Sequence, residues 1–134
     1  MINLDVNGGV RGLSEELKKL EKAFFKEFKK DGNISIAFVD GATSKKLNKT
    51  YRGKNKPANI LTFVYNDDDS LGEIILCKDE LKYFATENNI SIKKAAAYLI
   101  IHGVCHIFGF THKINKKALQ MEKIEMKIRK MIKI

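Results

Sequence analysis

Among 134 residues the chain has no tryptophan, one proline, two cysteines and three histidines. Each scarcity excludes something. With no tryptophan and no RRM, KH or zinc-knuckle pattern, binding of nucleic acid by stacking on exposed aromatics is not indicated. Two cysteines in a chain long enough to bury a core make no disulfide framework. Cys77 and Cys105 are expected to pack as small apolar side chains. The single proline, Pro57, sits in a polar loop, GKNKPAN. No repeat, low-complexity tract or linker divides the chain, so residues 1–134 are expected to form one domain. The most apolar stretch, AAAYLII at 95–101, is too short to span a bilayer. The first ten residues, MINLDVNGGV, lack the basic region and apolar run of a secretory signal. A cytoplasmic protein without a membrane partner is the expectation.

What is present is a globular composition, 44% hydrophobic and 31% charged. The net charge is +9, from 25 Lys+Arg against 16 Asp+Glu. Such an excess suits a polyanionic partner, RNA or DNA. Solvated, lysine-rich helix faces explain it equally well. From Lys113 to Ile134 there are eight basic residues and two acidic ones, the densest basic stretch.

Leu17, Leu20, Phe24 and Phe28 at helical spacing predict a helix over 14–30, with Ser14 as N-cap. NISIAFVD, 33–40, alternates and is β-branched, so it reads as a strand. TSKKLNKTYRG, 43–53, reads as a polar helix ended by Gly53. ANILTFVY (58–65) and LGEIILC (71–77) read as neighbouring strands joined by an acidic turn, NDDDS. A short amphipathic helix follows over 78–89. Ser91 starts a helix to about Phe108 that is apolar nearly all round, hence buried, and Gly109 ends it. The last helix, about 115–132, carries Met121, Ile124, Ile128 and Met131 on one stripe. The expected fold class is α+β. It is a single small mixed sheet of about four strands packed with helices, with a three-histidine metal site on a buried C-terminal helix.

All three histidines fall in HGVCHIFGFTH, at positions 102, 106 and 112. His102 and His106 are four apart on a helix, so they project roughly 40° from one another on one face. After the break at Gly109 the chain turns back, and His112 completes a set of three nitrogens. Three protein ligands with an open position are the ligand number of a catalytic zinc site. Cys105 projects roughly 100° from His106 and is assigned to packing. In the H-E-x-x-H proteases, glutamate follows the first histidine and takes the proton from water. Gly103 stands there in this chain, which disfavours peptide hydrolysis.

The pattern H-G-x-x-H-x-x-G-[FY]-x-H resembles the YbeY family, bacterial zinc-dependent endoribonucleases of ribosomal RNA maturation. LNKTYRGKNKPANILTF, 47–63, resembles the family's L-N-x-x-Y-R followed by T-D-V-L-S-F. LGEI at 71–74 resembles its L-G-D-I, and Met121 with Glu125 matches an M-x-x-x-E on the last helix. The likeness runs from about residue 33 to the end. It departs where the family's T-D is Ala58-Asn59, where the Asp before the third histidine is Thr111, and where a Leu is Cys105. Two negative charges near the metal are thereby lost.

The resemblance implies a zincin-like fold, with the third strand and the histidine helix bordering a cleft. It implies one Zn2+ per chain on His102, His106 and His112, with Arg52 as the catalytic cation. It implies single-strand-specific cleavage in late 3′-end processing of the small-subunit RNA and in ribosome quality control. Ribosomal RNA and the small subunit are then the partners. A planar guanidinium suits a phosphate, and Lys54 and Lys56 are placed to hold flanking phosphates. By sequence alone Arg52 reads as an exposed loop residue. Glu125 reads either as a hydrogen-bond acceptor for a ligand histidine or as a paired acid, and Glu73 is equally ambiguous. Two other functions fit the residues: a non-catalytic ribosome-associated zinc protein, and a zinc hydrolase of a non-RNA substrate.

Overall fold

A computed structural model describes residues 1–65, 67, 69–111 and 115–134. The elements follow the order β1 (Ile2–Asn7), α1 (Leu13–Phe28), β2 (Gly32–Val39), α2 (Gly41–Arg52), β3 (Ile60–Val64), β4 (Ser70–Cys77), α3 (Lys78–Glu87), α4 (Ile92–Ile107) and α5 (Asn115–Ile132). Four strands make one mixed sheet in the order β1-β2-β4-β3. β1 and β4 each pair with β2 in parallel, and β3 runs antiparallel to β4. The fold is α+β, as expected.

β4 lies inside the sheet, and its sequence says why. From Leu71 to Cys77 every residue except Glu73 is buried, the near-continuous apolar run of a strand covered on both faces. β3 is an edge, and Val64 at its end is exposed.

Two expectations are corrected. Ser14 does not cap α1. The N-cap is Gly12, in the left-handed region at φ 80°, with no side-chain cap. Leu13, 2% exposed, is already helical. Burying Leu13 sets the start of α1 one residue earlier, which puts Ser14 inside the first turn. The N-terminal residues also form a strand, β1, that the reading of segments passed over. Ile2 and Leu4 are buried between exposed neighbours, a short alternation that was available in INLDVN. Asn66 and Asp68 of the acidic turn lie outside the described residues.

Ser91 caps α4 as expected, its side chain accepting from the Lys94 N–H. Within α4, ten residues from Ala95 to Ile107 are buried. The half-buried positions are Tyr98, His102 and His106, each one turn beyond the last. The helix therefore sinks into the core on every side but one stripe, and the histidines lie on that stripe.

Gly103, roughly 60° round the helix from His106, is buried against the sheet. A Cβ there would lie 2.9 Å from Ile74 Cδ1 and 3.0 Å from Ile60 Cδ1. Gly72 of β4 is tighter still, since a Cβ would stand 2.5 Å from the Phe63 carbonyl oxygen and 2.8 Å from Ile107 Cδ1. The two glycines let α4 lie close against β3 and β4. Both cysteines are buried and unpaired. Burial pushes the Cys105 thiol up to about 12, with the charges of Glu125 and Glu27 adding to it. Among the described residues no single helix is long and apolar enough to cross a membrane.

Candidate active site

α2 and the loop after it are tied together by two buried polar side chains. Ser44 Oγ donates to the Ala58 carbonyl and accepts from the Ala58 N–H, both at 2.9 Å. Asn48 Nδ2 donates to the Lys56 carbonyl at 2.8 Å. Gly53, at φ 69°, ends the helix. Asn59 passes the chain into the sheet, its carbonyl accepting from the Cys77 N–H at 3.2 Å. These bonds fix where β3 begins, and Arg52 projects from the last turn of α2. Tyr51 packs edge-on against Phe63 of β3 at 5.1 Å between ring centres.

A cleft of about 780 Å³ wraps the open edge of β3. Its lining includes Arg52, Asn59, Thr62, His102, His106 and Thr111. Arg52 and the first two histidines, 50 residues apart in sequence, thus share one cavity. His112 lies outside the described residues, next in sequence to Thr111. Glu73 is excluded. Its neighbours in β4, Gly72 and Ile74, meet Ile107 and the Gly103 position of α4, so strand alternation turns Glu73 to the other face of the sheet. There Tyr65 donates to it at 3.3 Å.

The two imidazoles are held at their outer nitrogens. His106 Nδ1 lies 2.8 Å from the Phe110 carbonyl oxygen. His102 Nδ1 lies 3.2 Å from Glu125 Oε2. Both partners are acceptors, so each Nδ1 carries the hydrogen and donates it. In a neutral imidazole the lone pair is then at Nε2. The two Nε2 atoms are 3.1 Å apart, with the rings at 84°. Two lone pairs so close repel unless a proton or a cation lies between them. Bonds of about 2.0–2.1 Å to one zinc ion would span that gap at an N–Zn–N angle of roughly 100°. The two nitrogens therefore fit two ligands of a borderline-soft divalent ion, with Nδ1 hydrogen bonds of the kind that support such ligands; among the described residues no third ligand completes the set. Glu125, in the sequence an acid of two readings, is the acceptor for His102.

Glu125→Gln keeps a hydrogen-bond acceptor but loses the charge that would make His102 a better donor to a metal. Zinc affinity is expected to fall by about 10–100-fold, with the helical circular-dichroism signal unchanged. Competition with a chromophoric chelator measures it, and an unchanged affinity would mean that Glu125 does not support a metal ligand.

A second cavity of about 290 Å³ adjoins the first, sharing Asn59, Ile60 and His102 with it. Phe84, Tyr98 and Arg129 in its lining were not singled out from the sequence. The spacing did hold a signal. Tyr98 stands four before His102, and Arg129 four after Glu125, so each shares a helix face with a residue already under suspicion.

Comparison with known proteins shows the family of the chain. The sequence model of the family described as Endoribonuclease YbeY matches residues 7–133. A protein of Janthinobacterium sp. (strain Marseille) named Endoribonuclease YbeY is 41% identical over 99 residues, 71% of this chain and 65% of that protein. One of the same name from Buchnera aphidicola subsp. Acyrthosiphon pisum (strain APS) is 39% identical over 121 residues, 81% of this chain and 78% of the relative. The chain thus spans 65% of the length of the first of these curated relatives. The solution structure of TM1509 from Thermotoga maritima superimposes with a TM-score of 0.72 at 30% identity, covering 98% of this chain and 89% of that one.

Proposed function

Because the chain belongs to the YbeY endoribonuclease family, we propose that it is a zinc-dependent, single-strand-specific endoribonuclease of ribosomal RNA maturation. Its substrate is the 3′ end of the small-subunit RNA late in assembly, its setting the cytoplasm, and its further role ribosome quality control. The observation that carries this reading is a cleft whose lining holds both Arg52 and the His102–His106 pair.

His102, His106 and His112 would hold one zinc ion per chain, in a zincin-like arrangement. When bound, such an ion supplies Lewis acidity toward water and toward a phosphoryl oxygen. The protein's own residues do the rest. Phe110 and Glu125 fix the imidazole tautomers through the Nδ1 hydrogens. Arg52 presents a planar, permanently charged fork to the phosphate and stabilises the charge that grows on it during displacement. Lys54 and Lys56, exposed on the loop after α2, neutralise flanking phosphates. A cavity bounded by an edge strand and one helix suits a splayed single strand better than a duplex. Gly103 has no part in proton transfer, because glycine has no side chain to hold a proton. Hydrolysis therefore does without the glutamate of a zinc protease.

The test is cleavage of an end-labelled single-stranded RNA by zinc-loaded wild type, Arg52→Ala and Arg52→Lys. Arg52→Ala is expected to lower kcat by about 10²–10³-fold with zinc content unchanged. Lysine should restore part of the loss, since it keeps the charge but not the fork. The same RNA annealed to its complement should resist cleavage. Equal cleavage by all three proteins would remove Arg52 from the mechanism, and no cleavage by any of them would remove the nuclease and leave a ribosome-associated factor in which zinc only holds the fold.

A further inference from the structure

The smaller cavity has chemistry of its own. Arg129 lies over the Tyr98 ring, 4.9 Å from guanidinium carbon to ring centre. Among the described residues Arg129 forms no ion pair. A half-buried cation stacked on an aromatic, outside any ion pair, is a planar surface held ready for a planar partner. Phe84, Leu99 and Ile60 contribute apolar lining, and Asn59 is at the junction with the histidine cleft. An anion alone is a poor match, because the Glu125 carboxylate also lines the cavity. A ligand with flat apolar faces and a hydrogen-bonding rim matches all of these residues. At about 290 Å³ there is room for one ring system.

We propose that this cavity is a subsite for one unstacked nucleobase of the RNA strand, next to the phosphate that lies at the histidine pair. Tyr98 and Arg129 supply the stacking wall, and the Asn59 amide, donor and acceptor in one group, reads the rim of the base. The inference rests on the nuclease reading and deepens it. His102 lines both cavities, so the captured base and the scissile phosphate belong to the same or adjoining nucleotides. Arg129 and Asn59 would then set which linkage in a single strand is cut. The stacking surface is a half-buried tyrosine paired with an arginine from another helix, which composition does not reveal.

The experiment uses the zinc-loaded full chain and a fluorescently labelled single-stranded heptaribonucleotide with one cleaved linkage. One abasic unit is moved through the heptamer position by position. Anisotropy on mixing reads binding, and cleavage is followed in the same sample. The expected result is that one abasic position beside the cut linkage weakens binding on the order of tenfold, while the others change it little. Arg129→Ala should weaken binding of the intact heptamer by a similar factor and be indifferent to the abasic unit at that position. Binding and cleavage with no position-specific loss, or a loss that multiplies fully with Arg129→Ala, overturns the base subsite and leaves the nuclease standing. No binding and no cleavage of the intact heptamer overturns both.

Discussion

His106→Ala is expected to slow cleavage of single-stranded RNA by at least ~10³-fold, the several kcal/mol of transition-state stabilisation that the proposed metal site would supply. Two losses coincide at this residue. The Nε2 that would bind the proposed zinc is gone, and so is the Nδ1–H bond to the Phe110 carbonyl that pins the turn after α4. Removing that bond costs stability of only about 1 kcal/mol, because the turn keeps its backbone bonds, Gly109 N–H to His106 and Phe110 N–H to Cys105. Folding, read by circular dichroism, should persist. His102→Ala separates the two effects, for it leaves the Phe110 bond intact and should lose activity to the same degree. Single-turnover rates of the three proteins check this. Activity that survives in His102→Ala while failing in His106→Ala would assign His106 to the turn and not to a metal.

Gly103→Glu, the change that would restore the protease-like H-E-x-x-H, unfolds the protein instead. The new side chain would enter a buried position whose Cβ already crowds Ile74 and Ile60. Overpacking costs about 1–3 kcal/mol, and an unpaired carboxylate in the core adds several more. Together these approach the whole stability of a small domain, about 5–15 kcal/mol. Gly103→Ala isolates the steric part. It gains about 1 kcal/mol of helix propensity against shifts at the tips of two isoleucines, so its urea midpoint should stay close to wild type. The expected pattern is therefore a folded alanine variant and an unfolded or insoluble glutamate variant. A soluble, cooperative Gly103→Glu with wild-type stability would mean that position 103 faces the cleft.

The two glycine positions show what the sequence discloses and what it hides. That Gly103 lacks a base was plain from the motif. Why it must be small was not, because the reason is a contact with β3 and β4, some thirty to forty residues away. The histidine helix was legible from local physics alone: a serine cap, apolar residues on nearly every side, and polar rings one turn apart. Gly53 and Gly109 ended their helices as expected, both at positive φ. β1 was less visible because it is short and its alternation runs straight into two glycines. Strand order could not be read locally, since β3 and β4 follow each other in sequence yet β4 pairs on its other side with β2. The base cavity was hidden for the same reason. Its lining comes from β3, α3, α4 and α5, and only Asn59, His102 and Glu125 had drawn notice. Glu125 was visible as a motif residue, but its role as acceptor for His102 needed the packing of α5 beside α4.

The most direct test is a zinc titration of the chelator-stripped protein, with the cleavage rate of end-labelled single-stranded RNA as the readout. The expected result is no cleavage without metal, a rise in proportion to added zinc, and a plateau at one equivalent per chain. Full cleavage by the stripped protein, or no cleavage at any zinc concentration by a chain that remains folded, would contradict a metal-dependent nuclease built on His102 and His106.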